Sequence, residues 1–148
     1  MSRSSVSVVV ALGSNLGDRA YNLRRAVHAL RGVIDVVRVS SFIDTEPVDA
    51  PEGSPRFLNA VVAGSTRLAP QELLDELLAI ERRLGRRRPA PPNAPRVIDL
   101  DLIIHSANRL RTASLTLPHP RFRQREFVMG PLRELGLQWV SASPQARR

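Results

Sequence analysis

The order in which the hydrophobic period switches along the chain limits its fold more than any single residue does. Residues 6–12 are apolar apart from Ser7 and stop at Gly13, which predicts a buried strand. Asp18 then offers a helix N-cap. Leu23, Ala26, Val27 and Leu30 recur at helical spacing, and Gly32 closes the segment. Residues 33–43 are rich in β-branched side chains and predict a second strand. A proline- and acid-rich loop over 44–55 leads to a third strand over 57–66. Pro70 suits the first turn of a helix. Leu73, Leu74, Leu77, Leu78, Ile80 and Leu84 mark its apolar face, and Gly85 its end. A loop over 86–95, with four prolines and three arginines, precedes a fourth strand over 97–104. A turn at Ala107 and Asn108 leads to a short extra strand near Leu115 and Leu117. Residues 119–127 and 131–135 read as irregular or briefly helical. Strand, helix, strand, strand, helix, strand is the order of a ferredoxin-like α+β fold, an antiparallel sheet with helices on one face. The expected organisation is one domain over 1–140 followed by a disordered basic tail over 141–148.

A chain of 148 residues has room for one modest core. Its formal charge of +8 comes entirely from arginine, because the chain contains no lysine. The guanidinium fork suits phosphate oxygens, so the charge points to nucleic acid or to a small polyphosphate. Aromatic residues make up only 4%, too few for a platform that stacks single-stranded bases. The absence of cysteine excludes a disulfide framework and a thiolate metal site. No apolar run approaches the roughly 20 residues of a membrane helix, and residues 1–7 lack the apolar stretch of a secretory signal. The expectation is a soluble, cytoplasmic protein with no membrane partner, and the low aromatic content favours a small polyphosphate over nucleic acid.

The densest chemistry lies in Arg96-Val97-Ile98-Asp99-Leu100-Asp101-Leu102. Side chains two apart on a strand share a face, so Asp99 and Asp101 project together while Ile98, Leu100 and Leu102 turn to the core. Two adjacent carboxylates repel unless something neutralises them. Magnesium does so readily, because it takes one or two carboxylates and completes its shell with phosphate oxygens. Arg86, Arg88 and Arg96 close by fit a metal–polyphosphate site, since phosphoryl transfer needs cations to hold developing charge. Downstream, Pro118-His119-Pro120-Arg121 with Arg125 adds a histidine and two further arginines able to meet phosphate. Phe57 and Asn59 share a strand face, an aromatic plane beside an amide. Gly13-Ser14-Asn15-Leu16-Gly17-Asp18 is a tight strand-to-helix turn. Its glycine spacing differs from a dinucleotide fingerprint, and without lysine it is no Walker loop.

Taken in order, these segments resemble the 6-hydroxymethyl-7,8-dihydropterin pyrophosphokinase family. The carrying residues are residues 11–18, Asp44-Thr45-Glu46-Pro47-Val48, Phe57-Leu58-Asn59-Ala60-Val61, Ile80-Glu81 and Leu84-Gly85-Arg86. They continue through Pro95-Arg96, Ile98 to Leu102, Leu117-Pro118-His119-Pro120-Arg121, and Arg125 with Phe127-Val128. The resemblance implies a ferredoxin-like fold, ATP as co-substrate, two magnesium ions, and transfer of diphosphate to a pterin alcohol with release of AMP in folate biosynthesis. By position it makes Asp99 and Asp101 the metal ligands and, with Arg86 and Arg96, the catalytic set. It places Thr45, Pro47, Val48, Phe57, Asn59 and Phe127 around the pterin, with the two phenyl rings as a sandwich. It assigns Glu81, Arg88, Arg96, Thr116, His119 and Arg125 to ATP. The family's arginine-tryptophan-glycine stretch is replaced here by Pro92-Asn93-Ala94, and Asp49 stands where the family often has glycine. The first replacement removes an arginine and an indole from the loop expected to close over ATP, which predicts weakened nucleotide binding. Three other readings compete: a pterin-binding relative with weak or altered kinase activity, a nucleic-acid-binding domain on a ferredoxin-like sheet, and a purely structural or interaction module, against which the chemistry clustered from Arg86 to Phe127 argues. The first predicts pterin binding without AMP formation, the second salt-sensitive RNA binding without pterin.

Overall fold

The computed structural model describes residues 4–47, 52–87, 90–91 and 94–136. Val48, Asp49, Arg88, Pro92, Asn93 and the tail expected over 141–148 lie outside the described residues. The chain begins with strand β1 (Val6–Ser14), helix α1 (Arg19–Leu30), strand β2 (Asp35–Val39) and strand β3 (Ile43–Thr45). Strand β4 (Phe57–Thr66), helix α2 (Pro70–Arg83) and strand β5 (Asp99–His105) follow. A two-stranded ribbon of β6 (Leu110–Arg111) and β7 (Thr116–Leu117), a 3₁₀ turn (Phe122–Gln124) and helix α3 (Glu126–Glu134) complete the order.

The main sheet runs β2-β4-β1-β5, with β3 pairing β4 beside β2, and every pairing is antiparallel. This is the ferredoxin-like α+β topology expected. β1 lies between two neighbours, as its apolar run requires. Val8, Val10 and Leu12 on one face meet Leu23, Ala26 and Leu30 of α1 and Leu73, Leu77 and Ile80 of α2. Each of those helix residues is completely buried. The caps behave as read. The Asp18 side chain accepts from the Tyr21 N–H at 3.1 Å, and Gly85 takes φ +107° beyond α2, a conformation that costs glycine little.

Three local expectations change. The second strand is not continuous. A bulge between Val36 and Arg38 twists β2, and Ser40 exchanges hydrogen bonds with Val61 before the chain resumes as β3. The segments read as irregular or briefly helical on either side of Gly130 join into one nine-residue helix with Pro131 inside it. Proline removes the N–H that the Phe127 carbonyl would accept and crowds that carbonyl with its ring, and burial of Val128, Met129 and Leu132 offsets the cost. The two long helices share one sheet face, but α3 covers the other. There Val9, Val61, Ala63 and Ile103 pack against Phe122, Val128 and Leu132. The sheet is therefore covered on both sides where α3 lies. The end of the α3-side face that carries Gly13, Asn59 and Asp99 stays open.

Gly64 shows how tightly β2 sits on β4. A Cβ there would stand 2.3 Å from the Asp35 carbonyl oxygen, and backbone cannot yield as a side chain can. Gly64→Ala is expected to cost about 1–3 kcal/mol by overpacking, read as a lower urea midpoint with an unchanged slope.

Candidate active site

The open end of this face gathers side chains from four strands because pleating and register line them up. Thr45 pairs with Phe57, Gly13 with Asn59 and with Asp99, and Ala11 with Asp101. Residues two apart on each strand share the face. The row thus reads Thr45 on β3, Phe57 and Asn59 on β4, Ala11 and Gly13 on β1, Asp99 and Asp101 on β5. Phe127 and Arg125 descend on it from the start of α3. Together these groups line a cavity of about 720 Å³.

The middle of the row is bare by necessity. A Cβ on Gly13 would approach Asn59 Oδ1 to 3.0 Å and the Phe57 ring to 3.3 Å. The glycine therefore leaves a flat floor between ring and carboxylates. Asn59, nearly buried, donates from Nδ2 to Thr45 Oγ1 at 2.5 Å, which leaves its carbonyl oxygen for another donor. The strand end carrying Thr45 is fixed through Asp44, which accepts from Arg56 Nε at 2.5 Å and Arg19 Nη2 at 2.8 Å. Arg56 first and Arg19 second hold the Asp44 carboxyl below its ordinary value.

Asn15 ties the glycine turn to the arginine that precedes the acidic strand. Its Oδ1 accepts from the Arg96 N–H at 2.8 Å and its own N–H donates to the Arg96 carbonyl at 3.2 Å. Asn22 in turn donates to Ser14 Oγ and to the Leu16 carbonyl. Thus positioned, the Arg96 guanidinium lies 5.5 Å from the centre of the Phe57 ring, within cation–π range. Its Nε is buried with no hydrogen-bond partner among the described residues. Arg125 lies over Phe127 in the same way, at 5.6 Å. Such donors suit an anion that enters the cavity.

The paired aspartates carry the expected tension. Asp101 is pushed up to about 7, first by burial and then by the charge of Asp99, with Arg125 opposing. Asp99 Oδ1 accepts from Arg86 Nη1 at 2.8 Å. No cluster of three or more histidine, cysteine or acidic side chains exists among the described residues. A cation bound here would draw on two carboxylates and on oxygens of whatever it accompanies. That is the habit of magnesium, so the donor set fits it. His119 is held below the ordinary histidine value, first by burial and then by Arg125. Its Nδ1 accepts from the Arg121 N–H at 3.4 Å, which puts the proton of the neutral ring on Nε2.

Thr45, Phe57, Asn59, Arg96, Asp99, Asp101, Arg125 and Phe127 thus meet around one cavity. Pro47, Thr116 and His119 do not line it; Thr116 pairs with Arg111 in the β6–β7 ribbon. Arg86 and Glu81 sit behind β5 rather than in the cavity, and Glu81 is 2% exposed. Val48 and Arg88 fall outside the described residues. Gly13 and Gln124 line the cavity and had no assigned role in the sequence; Arg121, read there as able to meet phosphate, lines it too. Only the β1–β4 register exposes Gly13, whereas Arg121 was signalled by its place beside His119.

Fold and cleft define a ferredoxin-like α+β protein whose sheet presents paired carboxylates, arginines and two phenyl rings to one pocket. The family model described as 7,8-dihydro-6-hydroxymethylpterin-pyrophosphokinase matches residues 9–136, and the chain belongs to that family. It is 42% identical over 128 residues to the 2-amino-4-hydroxy-6-hydroxymethyldihydropteridine pyrophosphokinase of Bacillus subtilis, covering 85% of this chain and 75% of that one. It is 44% identical over 129 residues to a mitochondrial folate synthesis bifunctional protein of Arabidopsis thaliana, covering 86% of this chain but 23% of that one. The chain therefore spans about a quarter of the plant bifunctional relatives it matches. Among solved structures, wild-type Plasmodium falciparum HPPK-DHPS with pteroate shares the fold at a TM-score of 0.69 and 13% identity. The match covers 90% of this chain and 39% of that one.

The raised Asp101 fixes the sign of a pH effect. Its folded value lies above the ordinary aspartate value of 3.8, so the native state binds the proton more tightly than the unfolded chain. The group's contribution is present at low pH and is lost as pH climbs towards about 7. Chemical denaturation across that window is expected to show wild type losing stability relative to Asp101→Asn. Equal slopes for the two proteins would remove the assignment.

Proposed function

We propose that the chain transfers a diphosphate group from ATP to the hydroxymethyl oxygen of 6-hydroxymethyl-7,8-dihydropterin, releasing AMP, as a step of folate biosynthesis. The observation that carries this reading is the shared face: the aspartate pair and the two phenyl rings open into one cavity from two strands and a helix. A pterin is flat and edged with donors and acceptors. Phe57 and Phe127 supply ring faces for stacking, and the Asn59 carbonyl and the Thr45 hydroxyl supply the edge. The bare floor at Gly13 lets the hydroxymethyl group point towards Asp99 and Asp101.

In the reaction the hydroxymethyl oxygen forms a bond to the β-phosphorus of ATP and gives up its proton to solvent, and the bond from that phosphorus to the oxygen shared with the α-phosphorus breaks, so AMP leaves. Asp99 and Asp101 would hold magnesium, which supplies charge neutralisation on the phosphate oxygens. Arg96, with its unsatisfied Nε, and Arg125 and Arg121 hold the phosphates in line with the alcohol and spread the developing charge. Arg86 braces Asp99 from behind. His119, neutral with its proton on Nε2, serves as a donor near the phosphates rather than as a cation. A count of two magnesium ions, contacts from Arg88 and Thr116 to the nucleotide, contacts from Pro47 and Val48 to the pterin, one domain over 1–140, and a monomer working in the cytoplasm without nucleic-acid partners belong to the same proposal. The donor set and the sequence order of the family's motifs support the metal, nucleotide and pterin contacts among these.

The decisive assay supplies ATP, magnesium and the pterin alcohol and follows AMP. Asp101→Asn is expected to lower kcat by about 100-fold or more while the pterin still binds. Phe57→Ala is expected to weaken pterin binding by about tenfold, measured by quenching of the pterin's own fluorescence. A wild-type protein that binds the pterin yet releases no AMP would instead favour the relative with altered activity.

A further inference from the structure

β5 is an edge strand of the sheet, and edge strands leave backbone groups without a neighbour. Between the two aspartates, the Leu100 N–H points off this free edge. It donates to Glu81 Oε2 at 2.7 Å. One residue pair earlier, the Ile98 carbonyl lies 3.5 Å from Arg86 Nη1. A side-chain ion pair from the end of α2 and the turn after it thus stands where the next strand would be. The same Nη1 reaches Glu81 Oε2 at 2.9 Å and Asp99 Oδ1 at 2.8 Å. One guanidinium nitrogen therefore bridges a buried carboxylate and one that faces the cavity. The Glu81 side chain is 3% exposed and that of Arg86 12%, against 27% for Asp99.

We propose that Glu81 is a positioning residue for the acidic strand, not a nucleotide contact. It has two tasks. It satisfies the edge N–H between Asp99 and Asp101, which sets the pitch of both carboxylates. It also shares the charge of Arg86, so that Asp99 can turn to a cation without leaving a buried guanidinium unpaired. Without Glu81, Arg86 keeps Asp99 as its carboxylate partner and competes with the incoming cation. The inference rests on the diphosphate-transfer reading for its kinetic arm only.

Glu81→Gln in the full chain tests it, since the amide can still accept from Leu100 but carries no charge. At a temperature well below its unfolding midpoint, kcat and Mn²⁺ affinity are each expected to fall about 10- to 100-fold. The KM for ATP should stay within about twofold. Mn²⁺ binding is read from its electron paramagnetic resonance signal with a non-hydrolysable ATP analogue, so that arm needs no turnover. In an Arg86→Gln background, where the buried charge pair is removed as a unit, the same substitution should add little, because the two side chains act together. That double variant also serves if Glu81→Gln alone does not fold. A raised KM for ATP with kcat and Mn²⁺ affinity intact would overturn the proposal in favour of a nucleotide contact. A lower unfolding midpoint as the sole change, or additive effects in the double variant, would overturn it too. Wild-type protein that makes no AMP would sink the diphosphate-transfer reading and leave the Mn²⁺ result to judge Glu81.

Discussion

The pairing of β1 with β4 on one side and β5 on the other is the constraint that everything else in this protein obeys. It places Gly13 between Asn59 and Asp99, and Ala11 between Val61 and Asp101. The two smallest side chains available therefore lie between the ring-bearing strand and the acid-bearing strand. Larger residues there would fill the floor that a flat ligand needs, and a slip of one residue would turn both aspartates into the core. The apolar partners of the opposite phase, Val10, Leu12, Leu100 and Leu102, are locked under α1 and α2. That burial holds the register at no cost to the open face.

Charge is handled by geometry rather than by number. A net charge of +8 spread over a surface would bind any polyanion weakly. Here Arg96 and Arg125 are laid over phenyl rings, and Arg86 is drawn behind β5 by Glu81. Cations thus surround two carboxylates without cancelling them, and Asp101 keeps a strong demand for a proton or a metal. The cleft is prepared for a ligand that brings negative charge and positive metal together.

Covering both sheet faces unequally makes the cleft. α1 and α2 seal one side along its length. α3 starts only at Glu126, covers Val9, Val61 and Ile103, and delivers Phe127 to the border of the uncovered part. The Ser41–Glu134 hydrogen bonds and the bond from Arg38 to the Leu135 carbonyl fasten its far end to the β2 side of the sheet. A short helix anchored at its C-terminal end can thus hold an aromatic ring at its N-terminal end.

Much of this is written locally. The period-2 rule already puts Asp99 with Asp101 and Phe57 with Asn59, because alternation of side chains follows from the covalent geometry of an extended chain. The Asp18 cap and the stop at Gly85 are equally local, and so is the order of strands and helices that implies the topology. The family resemblance itself is a string of such local motifs. What residues far apart in sequence do to one another is not local. The break at Ser40 is set by its bonds to Val61, and the helix through Pro131 by burial against the sheet. The role of Gly13 depends on which residues lie across from it. Glu81 faces Leu100 and Arg86 instead of the cavity because an edge strand needed a partner. Sequence determined which side chains share a face; tertiary structure alone decided which faces meet, since register and charge pairing are settled only when the chain closes on itself.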